Sequence, residues 1–176
     1  MADIMLGGIG GQGVLTAGKI LTEIAAAVGE NVCWTSEYSA EMRGGFAYSR
    51  VVISQEEIGS PYPDQLDVLV TMDQATYDKF NETVVPNGCI VVNSAAFPEG
   101  FAFRSDVNIV SVDAPHLAAQ AKNPRGANLV MLGAMVANTD IIPADRFAEI
   151  LTQYFTAKGK HVEVNLQCYY LGYGQQ

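Results

Sequence analysis

The chain has 176 residues, 49% of them hydrophobic and 16% charged, a globular composition long enough to bury a core of its own. A formal net charge of −9 leaves no means of building a broad Lys/Arg surface, which excludes non-specific nucleic-acid binding and obliges any anionic ligand to find a local positive spot. No apolar run approaches the roughly 20 residues that span a bilayer, and no basic-then-apolar leader opens the chain. Cys33, Cys89 and Cys168 are too widely spaced to begin a Cys-x-x-Cys metal site, so reduced thiols in a cytoplasmic protein are the expectation.

In chain order, Ala2–Leu6 is an apolar segment predicted as a first strand, ending in a glycine-rich stretch. Val14, Gly18, Leu21, Ala25 and Val28 recur at steps of four and three, which predicts a helix over 14–28, with Gly29 placed as its C-cap. Val32–Tyr38 and Phe46–Ser54 read as strands, the second with Arg50 interrupting its apolar set. Leu66–Met72 reads as a strand covered on both faces. Asp73–Val84 is predicted helical, and Pro86-Asn87-Gly88 is a turn signal. Cys89–Val92 and Asn108–Asp113 are further strands, and Pro115 opens a short helix. Asn128–Ala137 and Pro143–Lys158 are helical, whereas the last fifteen residues are ambiguous between strand and helix. Strands alternating with helices predict a Rossmann-like α/β fold: three layers, a mostly parallel sheet, and Phe46–Ser54 as its antiparallel member. No linker or repeat divides the chain, so residues 1–176 are expected to form one domain.

The densest signal is Gly7-Gly8-Ile9-Gly10-Gly11-Gln12-Gly13. So many glycines carry a large entropic cost in a regular element, but they admit positive φ and let a ligand approach the main chain. The helix that follows presents unpaired N–H groups and a positive dipole end, so loop and helix together form an anion cradle. Three further readings compete. Gly8, Gly10 and Gly13 satisfy G-x-G-x-x-G with Glu37 near the end of the second strand, which suggests a stand-alone NAD(P)-binding Rossmann oxidoreductase. Gly13–Lys19 matches the start of a P-loop, but Ile20 replaces the magnesium-binding hydroxyl and the stretch falls inside the helix, so that reading fails. The last is a tight turn with no ligand.

Gly8–Leu21 (GIGGQGVLTAGKIL) resembles the opening of the gamma subunits of the 2-oxoacid:ferredoxin oxidoreductases. Tyr38–Gly45 resembles their E-x-R-G-G loop, and Ile58-Gly59-Ser60-Pro61 follows in the family's order. Ala127–Ala134 resembles their N-x-x-M-L-G helix, and Asn165 matches a C-terminal asparagine. The resemblance spans nearly the whole chain. It implies a non-redox subunit of an enzyme that turns a 2-oxoacid, coenzyme A and oxidised ferredoxin into acyl-CoA, carbon dioxide and reduced ferredoxin. The 2-oxoglutarate or branched-chain class is favoured over pyruvate. It also implies partner alpha, beta and ferredoxin-like delta subunits carrying thiamine diphosphate, magnesium and iron–sulfur clusters, with coenzyme A as a shared substrate.

On that basis the expected coenzyme A-binding residues are Gly8, Gly10, Gly11, Gln12, Gly13, Lys19 and Arg43. The loop would give backbone and amide donors to a phosphate, Lys19 would add charge, and Arg43 would reach a phosphate or a partner carboxylate. No catalytic or metal-ligating residue is expected, and His116 and His161 stand without a nucleophile partner.

Overall fold

Alternation of short β-branched runs with amphipathic helices yields an α/β sandwich, and the computed structural model describes residues 1–39, 45–60 and 64–175. In chain order the elements are β1 (Ala2–Ile9), α1 (Val14–Ala27), β2 (Asn31–Tyr38), β3 (Phe46–Ser54), β4 (Leu66–Thr71), α2 (Gln74–Phe80), β5 (Val84–Asn93), β6 (Asn108–Val112), α3 (Ala114–Gln120), α4 (Ala127–Ala137), α5 (Ala144–Ala157) and α6 (Val162–Tyr173). The sheet order is β2-β3-β1-β4-β5-β6. β3 runs antiparallel to both neighbours, and β1, β4, β5 and β6 pair in parallel.

β1 runs three residues further than its apolar pattern suggests, through Gly7 and Gly8. Packing, not flexibility, demands glycine at both positions. A Cβ on Gly7 would lie 2.3 Å from Thr76 Cγ2, and one on Gly8 would lie 2.8 Å from Met72 Cβ. With no side chain in the way, the strand keeps its ladder to β3 up to Ile9↔Phe46.

The larger core lies on the face covered by α1 and α4, where Ile20, Leu21 and Ile24 meet Ile4 and Val51. α4 is apolar around its whole circumference because it is enclosed by the sheet on one side and α6 on the other. The two helices touch backbone to backbone: a Cβ on Gly133 would lie 2.0 Å from the Tyr169 carbonyl oxygen, and one on Gly172 would lie 1.9 Å from that of Val130. This contact settles the ambiguous C-terminus as helix. On the other face α2 is short, and an aromatic cluster finishes the cover. Phe97, Phe101 and Phe103 surround Tyr77 with ring centroids 5.6, 5.5 and 5.4 Å away.

Two local expectations are corrected. The helix predicted over 73–84 starts where the Asp73 carboxylate accepts from Thr76 N (2.8 Å) but ends at Phe80, and β-branched Val84 already belongs to β5. Pro86-Asn87-Gly88 does turn, with Asn87 at φ 65°, but inside that strand. Between Leu66↔Val84 and Val68↔Cys89, β5 advances five residues while β4 advances two, so three bulge out. Arg50, which broke the apolar pattern of β3, forks onto buried Asp3 across the β1–β3 ladder, with its Nε 2.9 Å from Oδ1. Burial pushes the Asp3 carboxyl up, the Arg50 hydrogen bond and charge oppose that shift, and nearby Asp67 adds to it.

Candidate functional site

Where β1 leaves the sheet, the glycine loop is held by its own hydrogen bonds. Ile9 N–H donates to Gln12 Oε1 (2.8 Å), Gln12 N–H donates to Ile9 O (3.2 Å), and Gly10 N–H donates to Gly45 O (2.8 Å). Gly11 and Gly13 take φ of 96° and 78°, which glycine adopts without strain. Asn128 at the start of α4 donates to Gly13 O (3.1 Å), which also accepts from Ala17 N–H (2.9 Å).

These bonds sort the loop into two sets. The N–H groups of Gly10 and Gln12 are consumed internally and shape the turn. Among the described residues, the N–H groups of Gly11, Gly13, Val14, Leu15 and Thr16 meet no acceptor. Gly13 caps α1 without a side-chain bond, and the first turn carries no acid, so the positive helix end is not neutralised from within. A Cβ on Gly11 would meet none of the described residues within 4 Å, so none of them closes this stretch of main chain to a ligand.

Facing the loop is a cleft of about 360 Å³ lined by Gly11, Gly13, Thr16, Arg125, Lys160 and Asn165, among others. Its far wall is braced by Asn123, whose Nδ2 donates to Asn165 Oδ1 (2.8 Å), and by Asn165 Nδ2 donating to His161 O (2.7 Å). Arg125 precedes α4 and Lys160 follows α5, so the fold brings two cations to the open amides of an otherwise acidic chain. Neither was singled out in the sequence. A basic residue beside Gly126, just ahead of the Asn128 helix, was a usable signal for Arg125. Nothing local marks Lys160, which arrives only through packing of α5.

Of the expected site residues, Gly10, Gly11, Gln12 and Gly13 form the loop, and Gly8 lies behind it within β1. Lys19 is half exposed, has its ammonium 4.0 Å from Glu23, and is absent from the cleft lining. Arg43 lies outside the described residues. Glu37, the acid a dinucleotide fold requires next to β1, is separated from it by β3. Two strand spacings, about 9–10 Å, therefore lie between Glu37 and the loop strand, which disfavours the NAD(P) reading.

Burial pushes the Cys89 thiol up to about 11 and raises that of Cys168, so both stay protonated at neutral pH. Among the described residues no three His, Cys, Asp or Glu side chains converge on a possible metal position, and no helix is long and apolar enough to cross a membrane.

Fold and cleft together define an α/β domain whose glycine loop, at the end of β1, opens onto a cleft. The chain belongs to the pyruvate ferredoxin/flavodoxin oxidoreductase family, whose profile matches residues 3–175. It is 36% identical over 167 residues to the ketoisovalerate oxidoreductase subunit VorA of Methanothermobacter thermautotrophicus, covering 93% of this chain but 34% of that protein. It thus spans about a third of that relative. It is 33% identical over 173 residues to the 2-oxoglutarate synthase subunit KorC of Methanocaldococcus jannaschii, covering 97% of this chain and 91% of KorC. The fold matches the keto/oxoacid ferredoxin oxidoreductase gamma subunit from Geobacter sulfurreducens with a TM-score of 0.80 and 26% identity, over 99% of this chain and 98% of that one. It also matches, with a TM-score of 0.83, 99% of this chain and 30% of a chain of the 2-oxoglutarate:ferredoxin oxidoreductase from Magnetococcus marinus, solved with 2-oxoglutarate, coenzyme A and succinyl-CoA bound; the identity is 24%.

Proposed function

We propose that the chain is the gamma-type subunit of a cytoplasmic 2-oxoacid:ferredoxin oxidoreductase and contributes a phosphate-binding cradle for coenzyme A. The observation that carries this reading is the row of unaccepted N–H groups at Gly11, Gly13 and the first turn of α1, faced by Arg125 and Lys160. Coenzyme A brings a diphosphate and a ribose phosphate, and charge-assisted donors suit both. Gly10 and Gln12 hold the loop's shape and Gly8 lets it pack. Lys19 and Arg43 complete the proposed set, Lys19 by exchanging its Glu23 partner for the ligand.

The relatives named for ketoisovalerate and 2-oxoglutarate support a branched-chain or 2-oxoglutarate substrate; a pyruvate synthase subunit PorC is 26% identical. Decarboxylation and electron transfer are assigned, from the family resemblance, to alpha, beta and ferredoxin-like delta partners, which would hold the thiamine diphosphate, magnesium and clusters. Calorimetric titration of coenzyme A into the assembled enzyme tests the cradle. Arg125→Ala and Lys160→Ala should each weaken binding by about 1–3 kcal/mol. Unchanged affinity in the double variant would remove the phosphate from this cleft.

A further inference from the structure

We infer that Tyr38 is the platform on which the adenine ring of coenzyme A stacks, so that the site holds the base as well as the phosphates. The inference rests on the proposed function and adds to it the residue that favours a nucleotide over a simple phosphate ester.

Tyr38 is the last residue of β2 and is 62% exposed. It pairs with Ala47, which belongs to the core beneath α1, and side chains paired across an antiparallel ladder share a face. Tyr38 therefore stands on the α1 side of the sheet, level with the glycine loop. A lone exposed aromatic is ordinary. The place of this one is not. Its hydroxyl lies 3.1 Å and its Cε2 3.3 Å from where a Gly10 Cβ would stand, so one edge of the ring rests on bare main chain of the loop. Trp34, four residues earlier on the same face, makes the contrast. It is 39% exposed, but its indole N–H donates to Ser49 Oγ (2.7 Å) and packs beside Gly18 of α1. Among the described residues the Tyr38 hydroxyl meets no hydrogen-bond partner and its ring no aromatic neighbour. Internal packing among them thus accounts for Trp34 and leaves the open face of Tyr38 without a role.

Reach supplies that role. Gly11, next to Gly10, lines the cleft and has an unaccepted N–H. Adjacent Cα atoms are about 3.8 Å apart, so the edge of the Tyr38 ring and the first open amide are about one ribose from each other. In a nucleotide the base and its own 5′ phosphate are separated in the same way. β2 and α4 flank β1 on opposite sides, with Tyr38 on one and Arg125 and Lys160 on the other. A diphosphate seated on the open amides between them has its nucleoside end at Tyr38 and its thiol arm toward the cleft.

Capacity agrees. The cleft, about 360 Å³, is at the small end for ligand sites, so part of coenzyme A lies outside it. Adenine is flat and neutral, and an aromatic ring holds it by stacking without any added positive charge. That suits a chain whose net charge is −9 and whose cations here are committed to the phosphates.

Calorimetric titration of the assembled enzyme with coenzyme A and with 4′-phosphopantetheine, which keeps one phosphate and the thiol arm but has no base, tests the contact. Tyr38→Ser should weaken coenzyme A about tenfold and leave 4′-phosphopantetheine unchanged, whereas Tyr38→Phe should bind both as wild type does. Because the base is remote from the thiol, Tyr38→Ser should also raise KM for coenzyme A by a similar factor with kcat unaltered. Unchanged coenzyme A affinity in Tyr38→Ser would overturn the inference. So would an equal loss for both ligands, which makes the ring a prop for the loop, or a Tyr38→Phe variant as weak as Tyr38→Ser, which makes the hydroxyl the contact. An Arg125→Ala, Lys160→Ala double variant that binds both ligands like wild type counts against the proposed function alone.

Discussion

Replacing Gly11 by alanine separates backbone conformation from ligand contact, because the fold supplies a matched control in Gly29. Gly11 has φ 96° and Gly29 has φ 93°, and a Cβ at either would meet none of the described residues within 4 Å. Each substitution should therefore carry only the left-handed penalty of about 1–2 kcal/mol, a fall in Tm of about 2–4 °C per kcal/mol for a domain of this size. Their consequences for binding should diverge. The Gly11 methyl would stand among the open amides where a phosphate oxygen is expected. Gly29 follows the far end of α1, about 20 Å away by helix rise. Thermal unfolding and calorimetric titration of coenzyme A, both on the assembled enzyme, should show similar Tm losses, with at least tenfold weaker binding (about 1.4 kcal/mol) for Gly11→Ala alone. If the two variants bind coenzyme A equally well, the main chain at Gly11 is not a ligand contact.

Gly172→Ala should destabilise the chain by about 3 kcal/mol, read by urea unfolding, since its Cβ would lie 1.9 Å from the Val130 carbonyl oxygen and must force α4 and α6 apart. Arg50→Met strands the buried Asp3 carboxylate, at a cost of about 3–5 kcal/mol near pH 7. The folded-state pKa of Asp3 already lies above 3.8, so this group favours the fold below that value and loses its contribution as pH rises through the folded value. Losing Arg50 raises it further, so the deficit measured by denaturation at a series of pH values should be smallest in acid and grow toward neutrality. A deficit that grows on acidification would refute the assignment. For the thiols, half-buried Cys33 should react with iodoacetamide in the native state, whereas Cys89, pushed up to about 11, and raised Cys168 should react only on unfolding. Native labelling of Cys89 at pH 8 would contradict its burial.

Periodicity and punctuation placed most elements. Gly29 ended α1, Pro115 stands in the first turn of α3, and the apolar run of 66–72 became β4. Arg50 and Gly172 show what a one-dimensional reading misses. Arg50 looked like a fault in a strand until Asp3 supplied its partner from another strand. The C-terminal segment gained its helical identity from the close approach of Gly172 to α4. The site divided in the same way. The glycine loop was legible because consecutive glycines are costly anywhere but at a turn or a close contact. The division of its amides into used and open groups, and the arrival of Lys160, depend on hydrogen bonds and packing across the fold.

The central claim is that this chain supplies the phosphate end of a coenzyme A site belonging to a larger enzyme. Equilibrium binding of coenzyme A to the native complex, measured with this chain present, after it has been stripped away, and after it has been added back, addresses that claim most directly. Affinity should fall at least tenfold on removal and return on reconstitution. Undiminished binding by the stripped complex, or turnover of a substrate by the purified chain alone, would contradict it.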